Sequence, residues 1–353
     1  MFWGKKIPLM VLGLVFLISK PGAYASMELA PPPAPPIKLG GFLQAWLDSG
    51  NSSSTATGTN YNLTGDFLRH LRLRFQADPM DGVQVIVVPE LTAPAFVLLD
   101  GYATLDFGQV FLDESAPGEF SLTAGQFKTP FGLNRMYTPP QLTSVEYSSI
   151  SNAVFTDKTF WDDGLMATYK GKAFRLDVAA VKGLGPNLFT APFNLSSPNQ
   201  DYLGRLEVPL FDGQLTLGAS YYYGTHFTTA GTQAFSTAKN WFGAHAKWKG
   251  LPKTYDFEFE WITRESEMFG INGQAAFWIF ANIQPFVLYE YVENHQKESL
   301  STGRMGGGFN WYPKTAGPLR ITLETVGESL GYWAGDPFHL SSGKTILQTQ
   351  VTF

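Results

Sequence analysis

From residue 39 onward the chain alternates apolar and polar positions with a period of two, in runs of about ten residues separated by turn residues. Sixteen such runs can be drawn: 39–48, 67–77, 83–90, 97–107, 119–128, 164–170, 174–181, 202–209, 214–223, 240–249, 254–264, 273–282, 284–292, 303–312, 318–326 and 345–353. In 254–264, Tyr255, Phe257, Phe259 and Trp261 alternate with Asp256, Glu258 and Glu260. In 67–77, Phe67, Leu71, Leu73 and Phe75 alternate with His70, Arg72, Arg74 and Gln76. Asp100, Tyr102, Thr104 and Asp106 share the polar face of their run. The aromatic sets can face lipid, and the charged sets cannot, because charge on a lipid-facing wall is costly. Trp241, Trp248, Trp261 and Trp311 fall near run ends, where membrane-interface belts form.

The gaps alternate too. Those at 78–82, 171–173, 210–213, 250–253 and 313–317 are short and rich in Gly, Pro, Lys and Asp, as tight turns require. Those at 49–66, 129–163, 182–201, 224–239 and 327–344 are long. A barrel with short turns at one end and long loops at the other has this rhythm; a soluble sandwich has no reason for it. The gap 108–118 breaks it and suggests a misplaced strand. The last run ends on Phe353, with Leu347, Thr349 and Val351 on the same face. That suits a last strand pairing with the first, which removes both edges. The expectation is an all-β, transmembrane antiparallel barrel of about 16 strands over 38–353.

The N-terminus fits export. Lys5 and Lys6 precede the apolar run 9–18, and Ala23-Tyr24-Ala25 makes an A-x-A cleavage site. That run is too short for a membrane-spanning helix, which needs about 20 residues. Residues 1–25 therefore read as a signal peptide, and 26–37, containing a Pro-rich run, as a stiff periplasmic stub. Removing the signal takes away Lys5, Lys6 and Lys20 and no acid, leaving 22 basic and 30 acidic side chains, a net charge of −8. There is no Cys, aromatics reach 15%, and Gly numbers 36. An exported chain without disulfides needs another source of stability, and a closed hydrogen-bonded barrel supplies one. Export and a barrel together place the chain in the outer membrane of a Gram-negative bacterium, with membrane lipid as a partner.

About sixteen strands leave a water-filled lumen. The gap 129–163 is long enough to fold into it and narrow it, or to pack on the rim or a neighbouring subunit. It carries Arg135, with Lys128 at its root. His70, Arg72 and Arg74 form a basic stripe suited to anions. The alternative is that they pair with wall acids such as Asp100 and Asp106. Asp256, Glu258 and Glu260 form an acidic stripe that could sit opposite and set up a transverse field. None of the five His has zinc spacing, no G-x-S-x-G elbow occurs, and His245 shares the face of Lys247 and Gly243, which reads as the lumen. No catalysis, cofactor or metal is expected. Gly306-Gly307-Gly308 lies within a strand run and reads as a close-packing site.

The stretch Phe120-Ser-Leu-Thr-Ala-Gly-Gln-Phe-Lys-Thr-Pro-Phe-Gly-Leu133 resembles the phosphate-selective porin O and P family, which carries a similar run entering its third loop. Leu99 to Leu105, Leu142 to Ser148, Asp162 to Met166 and Val181 to Asn187 resemble other family segments in the same order. The resemblance implies a homotrimeric 16-stranded channel with the third loop at the constriction. It also implies that Arg72, Arg74 and Lys128 take the places of anion-reading bases, and His70 and Arg135 join them as candidate anion readers of the lumen. The expected function is a channel for small hydrophilic solutes, anions such as phosphate among them. A general or cation-leaning pore, or a structural or adhesive barrel, are the alternatives.

Overall fold

The structure, a computed structural model, describes residues 35–353 apart from 53–60, 65–67, 93–94, 113–117, 155–159, 184–199, 231–232, 251–253, 266, 295–299, 315–316 and 333–341. The proposed signal and most of the proposed stub lie outside the described residues.

The alternating runs become strands whose backbone groups pair with their neighbours, as a lipid environment demands. In chain order they are β1 (Ile37–Ser52), β2 (Tyr61–Thr64), β3 (His70–Met80), β4 (Val83–Thr92), β5 (Ala95–Asp106), β6 (Gly118–Lys128), β7 (Trp161–Gly171) and β8 (Arg175–Val181). Then come β9 (Asp201–Leu210), β10 (Leu215–Ala230), β11 (Gln233–Lys249), β12 (Tyr255–Arg264), β13 (Met268–Phe277), β14 (Ile283–Asn294), β15 (Leu300–Trp311), β16 (Leu319–Tyr332) and β17 (Ser342–Thr352). Each pairs antiparallel with the next around one sheet. The short β2 continues the line of β3, since both pair with the same edge of β1, so the wall has sixteen strands. The ring closes where β17 pairs with β1, from Phe42 opposite Thr352 to Ser52 opposite Ser342. Gly41 and Phe353 exchange both main-chain hydrogen bonds, at 2.8 and 3.0 Å, so the terminal aromatic is stitched into the closure.

Three expectations are corrected. The run placed at 273–282 is β13, five residues earlier. Residues 279–282 form the turn into β14, with Ile279 and Phe280 strongly exposed and bridged back to Ile283. Their unbroken apolar run imitates the continuation of a strand. The gap 224–239 is mostly wall: β10 and β11 stay in register out to Ala230 opposite Gln233. No strand hides in the described part of 108–118. Residues Gly108–Leu112 form a helical turn, and the Asp106 carboxylate accepts from the N–H groups of Gly108 and Gln109 at 2.8 and 3.2 Å. Such a cap satisfies donors that would otherwise be orphaned.

Side-chain alternation divides the wall. Leu39, Phe75, Val87, Phe120, Leu206, Phe259, Val287 and Val351 are exposed on the outside. Gln44, Arg72, Glu260, Glu290, Thr322 and Gln348 are buried on the inside. The outward Tyr and Trp are unevenly spread. Tyr169, Tyr202, Tyr221, Tyr223, Trp248, Tyr255, Trp261, Tyr289, Tyr291 and Trp311 all lie on β7 to β15. From β16 through β17 and β1 to β6, no outward side chain among those described is Tyr or Trp. Trp241, expected in the belt, points inward and is buried under Arg264, whose guanidinium carbon is 4.7 Å from the ring.

Candidate functional site

Between β6 and β7, the segment of described residues 129–154 leaves the wall and enters the lumen. Its turn depends on Gly132, whose φ of +70° and lack of a side chain let the main chain lie against Glu260. Two short 3-10 turns follow, Asn134–Met136 and Pro139–Gln141, the second opened by Thr138, whose N–H donates to Gln141 Oε1 at 2.8 Å. The helix α1 (Ser149–Val154) completes the described part.

An irregular segment inside a barrel must satisfy its own main-chain donors and acceptors. Here wall side chains do it. Glu260 accepts from the N–H of Leu133 at 2.5 Å and of Asn134 at 3.4 Å, and from the Ser151 hydroxyl at 3.3 Å. Glu290 accepts from Ser149 N–H at 2.7 Å, and Glu324 from Val145 N–H at 2.6 Å. In the other direction, Arg205 donates to Gly132 O at 2.9 Å, Arg320 to Leu142 O at 2.7 Å and Asn310 to Thr143 O at 3.0 Å. Arg304 ties the carboxylates together, reaching Glu290 at 3.1 Å, Glu324 at 3.0 Å and Glu146 of the loop at 3.4 Å. Glu260, Asn272, Glu290 and Arg304 stand directly opposite one another on β12 to β15.

Apolar packing reinforces these bonds. Phe131 and Ile150 of the loop are buried with Val181, Leu203, Tyr222, Trp241, Ile262, Met268 and Val292 of the wall. A carbon added at Gly270 would run into Ile150, so that glycine lets the helix seat on the sheet. The third loop thus occupies the β8–β17 side of the lumen.

What remains open lies mostly along β1 to β8, with Arg304 of β15 and Glu328 of β16 at its margin. Two cavities of about 400 and 390 Å³ flank the loop and share Arg72 and Trp161. The first also has Asp100, Tyr102, Lys128, Lys170 and Arg175 on its walls. The second has Arg69, His70, Glu90, Arg135, Tyr147 and Arg304.

The residues singled out in the sequence come together only in part. Arg72 and His70 pair with Glu90 of the next strand. Arg72 Nε donates to it at 2.6 Å, a second guanidinium nitrogen makes a closer contact, and His70 Nδ1 lies at 3.2 Å. Their partner is neither Asp100 nor Asp106, as the pairing alternative had it, but the residue that hairpin register places opposite Arg72. Arg74 is exposed. Lys128 donates to Tyr137 O at 2.6 Å and sits 5.0 Å from the Trp161 ring centre. Arg135 stacks on Phe160 at 3.1 Å and on Tyr147 at 4.3 Å, and bonds Asn152 at 2.5 Å. Neither Lys128 nor Arg135 makes an ion pair among the described residues. Burial lowers the Arg135 pKa, yet the guanidinium stays cationic at neutral pH.

The acidic stripe does not confront the basic one across open water. Glu258 pairs with Lys247 at 3.2 Å and accepts from Tyr137 OH at 2.7 Å; Asp256 lies 3.9 Å from Lys249; Glu260 holds the loop. Cross-strand register explains the pairing, since Lys247 and Lys249 face Glu258 and Asp256 on the adjacent strand. Tyr137 bridges the bore: its carbonyl takes Lys128, and its hydroxyl meets Glu258 and Lys247. Burial and Glu258 raise its pKa, so the phenol stays neutral. Sequence reasoning missed Glu90, Arg205, Glu290, Arg304, Arg320 and Glu324. Glu90 alone had a local signal, a hairpin pairing with Arg72.

No protein-family model and no curated protein sequence matches the chain. Among solved structures it is similar to the outer membrane channel DcaP of Acinetobacter baumannii, with TM-score 0.60 and 12% identity over 91% of this chain and 98% of that one. It is also similar to an anion-selective porin from Comamonas acidovorans, at 0.58 and 11% over 90% and 99%. The trimer form of OmpT from Vibrio cholerae matches at 0.57 and 11% over 91% and 100%. The chain has the fold of the outer-membrane porins: a closed antiparallel barrel of sixteen strands.

Proposed function

We propose that this chain is a porin of the Gram-negative outer membrane that passes small hydrophilic solutes by passive diffusion and favours anions, phosphate among them. The observation that carries the reading is how Lys128 and Arg135 are held. Aromatic faces and uncharged oxygens support them, so their charge is not cancelled by a carboxylate. A ring quadrupole stabilises a cation without neutralising it. Arg74 adds an exposed charge nearby, and the likeness to an anion-selective porin agrees. Glu90 supports a second reading, a weakly selective pore, because it neutralises the Arg72 end of the stripe.

Among the described side chains, the lack of outward Tyr and Trp on β16, β17, β1 and β3 to β6 supports a homotrimer. Interfacial aromatics anchor a wall against lipid headgroups, and a wall that meets other subunits does not need them. The likeness to a protein with a trimer form agrees. Cross-linking in detergent should then give a trimer.

The deciding experiment is the reversal potential of single channels in a KCl gradient, repeated with phosphate. Reversal on the chloride side with phosphate block supports the anion reading. Reversal near zero or on the potassium side rejects it. Absence of conductance would leave a structural or adhesive barrel.

A further inference from the structure

An anion path has little use for Asp100. This carboxylate lies on the wall of the first cavity beside Arg72, Lys128 and Trp161, where a passing anion meets it. Trp161 Nε1 donates to Asp100 Oδ1 at 3.1 Å, and that is the only partner of the carboxylate among the described residues. The same indole carries Lys128 over its face. One side chain therefore orients an acid at its N–H and a base on its ring. The two feel each other's charge but form no ion pair, so each keeps hydrogen-bonding capacity toward the cavity. Arg72 does not fill the gap, because its guanidinium is committed to Glu90.

An unpaired acid and an unpaired base, held side by side where two cavities meet, complement a solute that carries both charges. We propose that this neck recognises small zwitterions of the amino-acid class. The carboxylate is taken by Lys128, with Arg135 above it, and the ammonium by the free Asp100 oxygen. A simple anion gains the first contact and is repelled by Asp100; a simple cation suffers the reverse. The inference rests on the proposed channel and deepens it by naming a solute class.

The test uses the full-length protein in planar bilayers, with the current carried by dilute KCl. Glycine is compared with acetate, which keeps the carboxylate and has a hydrogen in place of the ammonium, and with methylammonium. Glycine is expected to block at concentrations about tenfold below acetate, since a hydrogen bond to a charged group is worth about 1.4 kcal/mol or more. Asp100→Asn should weaken the glycine block about tenfold and leave or strengthen the acetate block. Trp161→Phe, which removes only the indole donor and keeps a ring under Lys128, should weaken the glycine block severalfold while the acetate block changes less. Equal block by glycine and acetate in the unaltered protein would overturn the proposal, as would an Asp100→Asn channel that conducts and still prefers glycine. If no channel conducts at all, the porin reading has failed. If the unaltered channel reverses on the chloride side without preferring glycine, only the zwitterion site has.

Discussion

On the β8–β14 side of the lumen, Val181, Leu203, Ile262 and Val292 point inward and close on Phe131 and Ile150 of the third loop. On the β1–β7 side, the inward residues are Arg72, Glu90, Asp100, Lys128 and Trp161, facing cavities. The same alternation along the strands produces both. In the first half the inward position is filled by apolar groups and by carboxylates that cap loop donors; in the second it is filled by charges with room beside them. A barrel wall can therefore build a core on one side and a path on the other. The difference lies in whether the inward groups find protein partners. Buried Glu260 and half-buried Lys128 are both charged groups at the edge of the same loop, yet one is consumed by main-chain donors and the other rides on a ring.

Breaking the packed half should have the largest effect. The triple change E260A/E290A/E324A orphans the buried N–H groups of Leu133, Val145 and Ser149, each costing about 1–3 kcal/mol, and leaves Arg304 short of partners. The loop should leave the bore, single-channel conductance should rise severalfold, and trypsin should cut after Arg135, which it spares in the unaltered barrel. Unchanged conductance and resistance to trypsin would show that packing alone seats the loop. Phe131→Ala tests that packing, with an expected loss of about 3–5 kcal/mol from an emptied core site. It should raise protease sensitivity of the loop without unfolding the barrel, as judged by heat-modifiable migration in gels.

Changes in the open half should leave the loop in place and alter only charge. K128Q/R135Q should move the KCl reversal potential away from the chloride side, without the severalfold rise in single-channel conductance expected when the loop leaves the bore. A reversal potential that stays put would mean that other cations govern the path. Arg74→Gln should give the smallest shift in the same direction, because an exposed charge is screened by salt.

Much of the wall was legible because it is local. Alternation places nearly every strand within a few residues, and hairpin geometry alone sets Lys247 and Lys249 against Glu258 and Asp256. The errors were local as well. Ile279 and Phe280 prolong the apolar run of the strand before them but form a turn, and Trp241 has the composition of a belt residue but the inward parity of its strand. The site was less legible. Nothing in the run Phe131 to Asn134 points to a carboxylate more than a hundred residues away, and Arg304 and Arg320 sit in runs with no distinguishing neighbour.

The sequence by itself determined the barrel: its period, its alternation of short and long connections, its lipid-facing side and the chemistry available to its interior. These follow from a two-residue repeat and from the need to pair every backbone group in a membrane. Only the tertiary structure decided which inward charges are used up and which stay available. That depends on where the third loop lies, and its position is fixed by Glu260, Glu290 and Glu324, which the successive pairing of β12 to β16 brings to one side of the bore.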